Sequence, residues 1–297
     1  MTCRYNFDTL YHNSGSIRDY AWIRNQNYFN AKNMKKTDGV TNFLGYKITS
    51  IPKDQLLKNL FSQVDSGEKL KTVFTPNPEQ LVLAKSYSWF EKFLGKSDIL
   101  LPDGMGIVIG SQILSAFGKG EPILQRIAGV DVVSELLANM PRKTILIIGG
   151  RNYSGCEYMD WKVVGPGSSK KTNKKNKVLY WNEAFLNAVQ PTTQEKKQLE
   201  SYCAAIKPDI VFVALGAPQQ EKWVIENKAF LQSIGVKLVM AVGGSFDILF
   251  GKISRAPKWM QQIGLEWLFR LYKEPWRWRR QVNLLVFLKM VVQEALT

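Results

Sequence analysis

Histidine is almost absent from this chain: there is one, His12, among 297 residues, and it sits in a polar leader. That excludes a His-based catalytic triad and a His-rich metal site. Cysteine is nearly as scarce. Cys3, Cys156 and Cys203 are odd in number and show no CxxC spacing, which argues against a disulfide framework or a zinc site and fits a reducing, cytoplasmic setting. Long apolar runs are missing too. The nearest, Leu284 to Val292, is interrupted by Lys289 and falls short of the roughly 18 residues of a spanning helix. Met1 to Tyr20 lacks the apolar core of a secretory signal. Contact with a membrane would have to come from its surface.

Acidic residues are outnumbered: 25 Asp and Glu face 40 Lys and Arg, for a formal charge of +15. Such a balance implies an acidic partner, whether nucleic acid, an anionic membrane surface or a phosphorylated ligand. With 45% hydrophobic residues the chain has enough apolar material for one large domain or a domain with an appendage. Residues 1–42, rich in Asn, Tyr and charge, read as an irregular N-terminal extension.

From Phe43 strand and helix patterns alternate. Residues 45–49 read as a strand, Lys53 to Val64 as an amphipathic helix, and Leu70 to Thr75 as the next strand. Asn77 then suits a helix N-cap and Pro78 the first helical position, with the helix running to about Phe93. Residues 97–101 have the bulk of a buried strand and Met105 to Phe117 that of a buried helix, which puts Asp103 at a strand-to-helix junction. In open parallel α/β sheets ligands bind beyond the carboxyl ends of the strands, so a carboxylate there can act on a substrate. Asp-Gly is equally a common turn, and Asp a common cap. Thr75, Asn77 and Asp103 fall on loops at one edge of such a sheet. Arg126 is either a solvated charge or a group reaching back to an anion.

Apolar strands at 144–148, 209–215 and 236–242 end in glycines, the last at Gly243 and Gly244 before Asp247. Such junctions let a ligand approach the backbone and suit phosphate, and they also serve as ordinary turns. No GxGxxG is present, which argues against a dinucleotide-dependent oxidoreductase. Between Trp161 and Lys177 six lysines occur with no acid, and this segment reads as a solvated loop. The α/β core spans 43–251. Residues 252–297 form a basic, Trp-rich helical appendage, with nine Lys or Arg against three Glu and four of the nine tryptophans. Arg and Trp interleaved suit a nucleic-acid surface or a membrane interface. The apolar 282–296 stretch favours burial or a membrane over a nucleic-acid groove.

Several phrases occur in one order: Thr75-Pro76-Asn77-Pro78-Glu79, Pro102-Asp103-Gly104, Arg126-Ile127-Ala128-Gly129-Val130-Asp131, Leu215-Gly216-Ala217-Pro218-Gln219-Gln220-Glu221 and Val242-Gly243-Gly244-Ser245-Phe246-Asp247. With the tail phrases Arg255-Ala256-Pro257 and Gly264-Leu265-Glu266-Trp267, they resemble the WecG/TagA/CpsF glycosyltransferases over about residues 43–281. The resemblance implies a Rossmann-like α/β core with a mainly parallel sheet. It also implies inverting transfer of an N-acetylmannosamine-type sugar, or a related hexosamine or uronic acid, from UDP to a polyprenyl-diphosphate-linked N-acetylglucosamine, in cell-surface polysaccharide or teichoic acid synthesis. Asp103 would be the general base. Thr75, Asn77, Gln220, Gly243 and Gly244 would bind substrate, Arg126 would face the diphosphate, and Asp247 would suit the ribose or uracil.

No Asp-x-Asp pair is present. The leaving diphosphate would then be met without metal or cofactor by Arg270, Arg277 and Arg280, which resemble the family's appendage arginines. The implied location is cytoplasmic, peripheral on the inner face of the membrane, with self-association left open. The family's usual segment after Gly149-Gly150 is not recognisable, which leaves the donor sugar open. A nucleic-acid-binding protein and an inactive scaffold relative stand as alternatives.

Overall fold

A computed structural model of the chain describes residues 39–167, 177–275 and 278–297, with the side chains of residues 279–281 outside that description. Most of the proposed N-terminal extension and the middle of the lysine-rich segment thus lie outside the described residues.

The described residues open with β1 (Val40–Phe43) and β2 (Tyr46–Thr49), an antiparallel hairpin. Leu44 and Gly45, the two turn residues, have φ of 51° and 87°, as a tight hairpin turn that follows strand twist requires. The sequence places 45–49 at the start of the strand–helix alternation. Its partner is instead β1, and the pair stays outside the main sheet while burying Phe43, Tyr46 and Ile48 in the core.

The main sheet is built from β3 (Lys71–Phe74), β4 (Ile99–Leu100), β5 (Ile145–Gly149), β6 (Glu157–Tyr158), β7 (Trp161–Val164), β8 (Lys177–Asn182), β9 (Ile210–Ala214) and β10 (Leu238–Ala241). Their order is β4-β3-β10-β9-β5-β8-β7-β6, and every neighbouring pair is parallel except β6 with β7. The central strands β5, β9 and β10 are buried along their whole length, which explains their unbroken runs of Ile, Val and Leu. This is the Rossmann-like α/β architecture expected from the sequence.

Two local expectations change. Residues 161–164 are a strand rather than part of a loop, because Trp161 and Val163 alternate into the core despite the neighbouring lysines. The helix from Pro78 breaks at Tyr87, whose backbone is extended, into α2 (Pro78–Ser86) and α3 (Ser88–Gly95), so that Phe90 and Leu94 turn inward. The sheet is covered on its faces by α1 (Lys53–Ser66), α4 (Met105–Ala116), α5 (Gly129–Asn139), α6 (Thr193–Ile206), α7 (Gln219–Glu226) and α8 (Lys228–Ser233), in two apolar clusters.

After the short α9 (Ser245–Leu249) come α10 (Lys258–Gln262), α11 (Glu266–Lys273) and α12 (Trp278–Leu296). Helix α12 folds back on α2 and α4 and buries Phe287, Val291 and Ala295. Glycine makes that approach feasible. A Cβ on Gly106 would stand 2.6 Å from Pro78 Cγ, and one on Gly110 would stand 2.9 Å from the Phe43 ring and 3.1 Å from Val291.

Candidate active site

The carboxyl ends of the four neighbouring strands β4, β3, β10 and β9 open into one cleft of about 550 Å3. Thr75 and Asn77 follow β3, Asp103 follows β4, Gly243 and Gly244 follow β10, and Gln220 lies on the helix after β9. Arg126 reaches the cleft from the segment before α5. That segment is pinned beside Asp103, because Ile127 N–H donates to Pro102 O at 3.1 Å.

Each group has a traceable local cause. Asn77 caps α2 in a reciprocal capping box: its Oδ1 accepts from Gln80 N at 3.0 Å and its own N–H donates to Gln80 Oε1 at 3.2 Å. Its side-chain NH2 keeps donor capacity on the cleft wall. Thr75 donates its hydroxyl to Ala241 O at 3.2 Å and so ties the ends of β3 and β10 together. Gln220 is buried. Its Oε1 accepts the Gly243 N–H at 3.0 Å, and its Nε2 donates to Glu221 Oε1 at 2.8 Å, so its amide holds the glycine turn in place.

Asp103 is the carboxylate at the centre of this group. Its side chain remains 28% exposed at the cleft, and Arg126 Nη2 lies 3.5 Å from its Oδ1. Burial pushes this carboxyl above the usual carboxylate range, the charges of Arg126 and Arg270 oppose that shift, and Glu266 adds to it. A carboxylate raised in this way, with solvent access, is suited to accept a proton from a hydroxyl. Arg126 also donates to Glu266 Oε2 at 2.7 Å, while Arg270 donates to Glu266 Oε1 at 3.2 Å. Burial works against the Glu266 charge, but Arg126 and then Arg270 hold its carboxyl below the ordinary range. Two guanidinium groups are thus fixed beside Asp103, one from the core and one from the C-terminal segment.

The structure does not bring Asp247 into this cleft. Its Oδ1 accepts from the Tyr153 hydroxyl at 3.0 Å and lies 3.6 Å from Arg151 Nε, beyond the end of β5. Arg277 lies outside the described residues. Arg280 falls on the backbone of α12, and its side chain is outside the description. Among the described residues no cluster of three or more His, Cys, Asp or Glu could hold a metal ion. Glu266 and Glu221 are additions that the residue-by-residue reading passes over, although both stand inside phrases that carry the family resemblance.

The sequence pattern of the WecG/TagA/CpsF glycosyl transferase family matches residues 41–297. The chain belongs to that family. Among its relatives is an N-acetylglucosaminyldiphosphoundecaprenol N-acetyl-beta-D-mannosaminyltransferase of Bacillus subtilis, 35% identical over 247 residues, which are 80% of this chain and 87% of the relative. A protein of the same description from Bacillus spizizenii is 30% identical over 224 residues, 74% of this chain and 78% of its own. This WecG/TagA/CpsF member is therefore a glycosyltransferase, and the cleft around Asp103 is its candidate active site.

The cleft has a second character. One wall is apolar, formed by Ile109 and Ile113 of α4 and by Leu284, Phe287 and Leu288 of α12. Outside it, Trp259, Trp278, Leu285 and Leu296 remain exposed on the C-terminal helices. No described helix is long and apolar enough to cross a membrane.

Proposed function

We propose that this enzyme transfers an N-acetylmannosamine-type sugar from UDP to a polyprenyl-diphosphate-linked N-acetylglucosamine, with inversion and without a metal, in the synthesis of a cell-surface polymer. The observation that carries this reading is one cleft holding an accessible carboxylate, two fixed arginines and an apolar wall. A sugar hydroxyl, a diphosphate and an isoprenoid chain meet those three features in turn.

In the reaction the acceptor hydroxyl oxygen attacks the anomeric carbon as the bond from that carbon to the UDP oxygen breaks, and Asp103 takes the hydroxyl proton. Attack opposite the leaving group inverts the anomeric centre. UDP leaves with the bonding electron pair, and arginines offset its growing charge. Asn77 and the backbone at Gly243 and Gly244 line the space for sugar and phosphate. The Asp247, Tyr153 and Arg151 group stands beyond that turn, where it supports the loops that would receive a nucleotide.

Residues 252–297 are proposed as the membrane-associating part, with the exposed Trp, Leu and Ile side chains meeting the inner face of the cell membrane and basic residues meeting its anionic headgroups. The test is UDP release from a panel of UDP-N-acetylhexosamines and their uronic acids, with lipid-linked N-acetylglucosamine diphosphate in vesicles and EDTA throughout. Acceptor-dependent release with one donor, lost in Asp103→Asn, is the expected result. Folded protein that releases UDP from no donor overturns the reading.

A further inference from the structure

Glu266 is the best-connected charge in the cleft and has no part in the scheme above. Its two oxygens bridge Arg126 at 2.7 Å and Arg270 at 3.2 Å, and its side chain is 11% exposed. Guanidinium groups recognise carboxylates and phosphates with the same donor fork. A carboxylate spanning two such forks occupies the place that two non-bridging oxygens of a diphosphate would take.

Charge balance sharpens the point. Arg126, Arg255 and Arg270 face Asp103, Asp131 and Glu266 in this half-buried cluster, with Arg255 on Asp131 at 2.6 Å. Among the described side chains of this cluster these six charges sum to zero. Bringing in a diphosphate with all three carboxylates in place would add two or more negative charges to this group, so that Arg126 and Arg270 would have to serve a carboxylate and a phosphate at once. One carboxylate has to give way. Asp103 must stay as the base, and Asp131 is held by Arg255 away from the Arg126 and Arg270 pair. Glu266 lies at the start of α11, on the chain segment that also brings Arg270.

We infer that Glu266 is a built-in stand-in for the substrate diphosphate: it holds Arg126 and Arg270 in an anion-binding arrangement in the empty enzyme and yields Arg126 to the diphosphate when substrate enters. Glu266 is thus a positioning residue that acts through the two arginines. The inference rests on the diphosphate reading of the cleft given above. Its consequence is competition: the enzyme binds a diphosphate more weakly than the two arginines alone would allow.

The test uses the full chain and inorganic pyrophosphate as probe, titrated by calorimetry at fixed ionic strength, with circular dichroism to establish folding. Glu266→Gln is expected to bind pyrophosphate about fivefold or more tightly than wild type, since an internal anion has been removed. The gain should vanish in Glu266→Gln combined with Arg126→Gln. Glu266→Asp, which draws the carboxylate back by one methylene, should move affinity the same way and covers the case in which Glu266→Gln fails to fold. In turnover, the KM for a diphosphate-bearing substrate, UDP-sugar or lipid-linked acceptor, should fall without a rise in kcat, a split that a purely structural residue would not give. Unchanged or weaker pyrophosphate binding in folded variants, or no pyrophosphate binding by any form, overturns the inference. Tighter binding in an enzyme that turns over no UDP-sugar would instead leave the anion exchange standing and overturn the transferase scheme.

Discussion

Arg126 holds its Nη2 3.5 Å from Oδ1 of Asp103, near enough to attract the carboxylate and too far to consume a lone pair in a strong hydrogen bond. The carboxylate is steadied electrostatically and keeps 28% of its side chain exposed, as the proposed role of general base requires. Asp103→Asn should therefore keep the fold and lower kcat by roughly 10²- to 10⁴-fold, the usual worth of a general base. Stopped-time assays of UDP release check this.

The same pair fixes the sign of a pH effect. Burial raises the Asp103 carboxyl and Arg126 pulls it back down. Replacing Arg126 with Gln removes the lowering influence, so a higher pH is needed to deprotonate the base. The acid limb of kcat/KM against pH should move to higher pH in Arg126→Gln, and a shift toward acid would contradict the assignment.

Glu221 supplies a stability test. Burial pushes its carboxyl up to about 7, against the opposing hydrogen bond from Gln220, and its Oε2 has no hydrogen-bond partner among the described residues. The folded state therefore holds a proton that the unfolded chain releases near pH 4.5. That contribution is present below the unfolded value and is lost as pH rises toward 7, a change of roughly 3 kcal/mol at most. Glu221→Gln stays neutral throughout. Its melting temperature relative to wild type should be higher at pH 8 than at pH 5.

A fourth prediction concerns how Thr75 is seated. A Cβ on Gly129 would lie 2.9 Å from Thr75 Cγ2, so Gly129→Ala should cost about 1–3 kcal/mol by overpacking and displace Thr75 from the cleft. Adding Thr75→Ser removes the clashing methyl and should restore much of that stability. A double-mutant cycle by chemical denaturation measures the coupling.

Helix α12 should separate folding from membrane binding. Phe287 is 5% exposed and Leu285 70%. Phe287→Ala should lose about 3–5 kcal/mol of stability. Leu285→Ser with Val292→Ser should leave the melting temperature nearly unchanged and weaken sedimentation with anionic vesicles.

Much of this was legible in the chain because single residues announce local physics. Asn77-Pro78 marks a helix start, and the unbroken apolar run at Ile210 to Ala214 marks a strand buried on both faces. Strand ends then placed Thr75, Asn77 and Asp103 at one edge, and the cleft holds all three. What stayed hidden depends on partners remote in sequence. Glu266 meets Arg126 across 140 positions, and nothing near either residue signals the other. Strand β7 was masked by the lysines around Trp161, since composition averages over two faces that the strand separates. Asp247 shows another limit: its phrase leads into the cleft edge, and its carboxylate turns to Tyr153, a partner 94 positions away.

The meeting of Phe43 with Phe287, ring centroids 6.1 Å apart, bears on how the enzyme is made. The β1–β2 hairpin and α12 complete one apolar cluster, so a nascent chain that does not yet include residues 278–297 leaves Phe43, Pro78 and the glycine-bearing face of α4 uncovered. Residues 278–297 must be made before this cluster can close, and until then the exposed groove is a place where a chaperone can hold the unfinished protein.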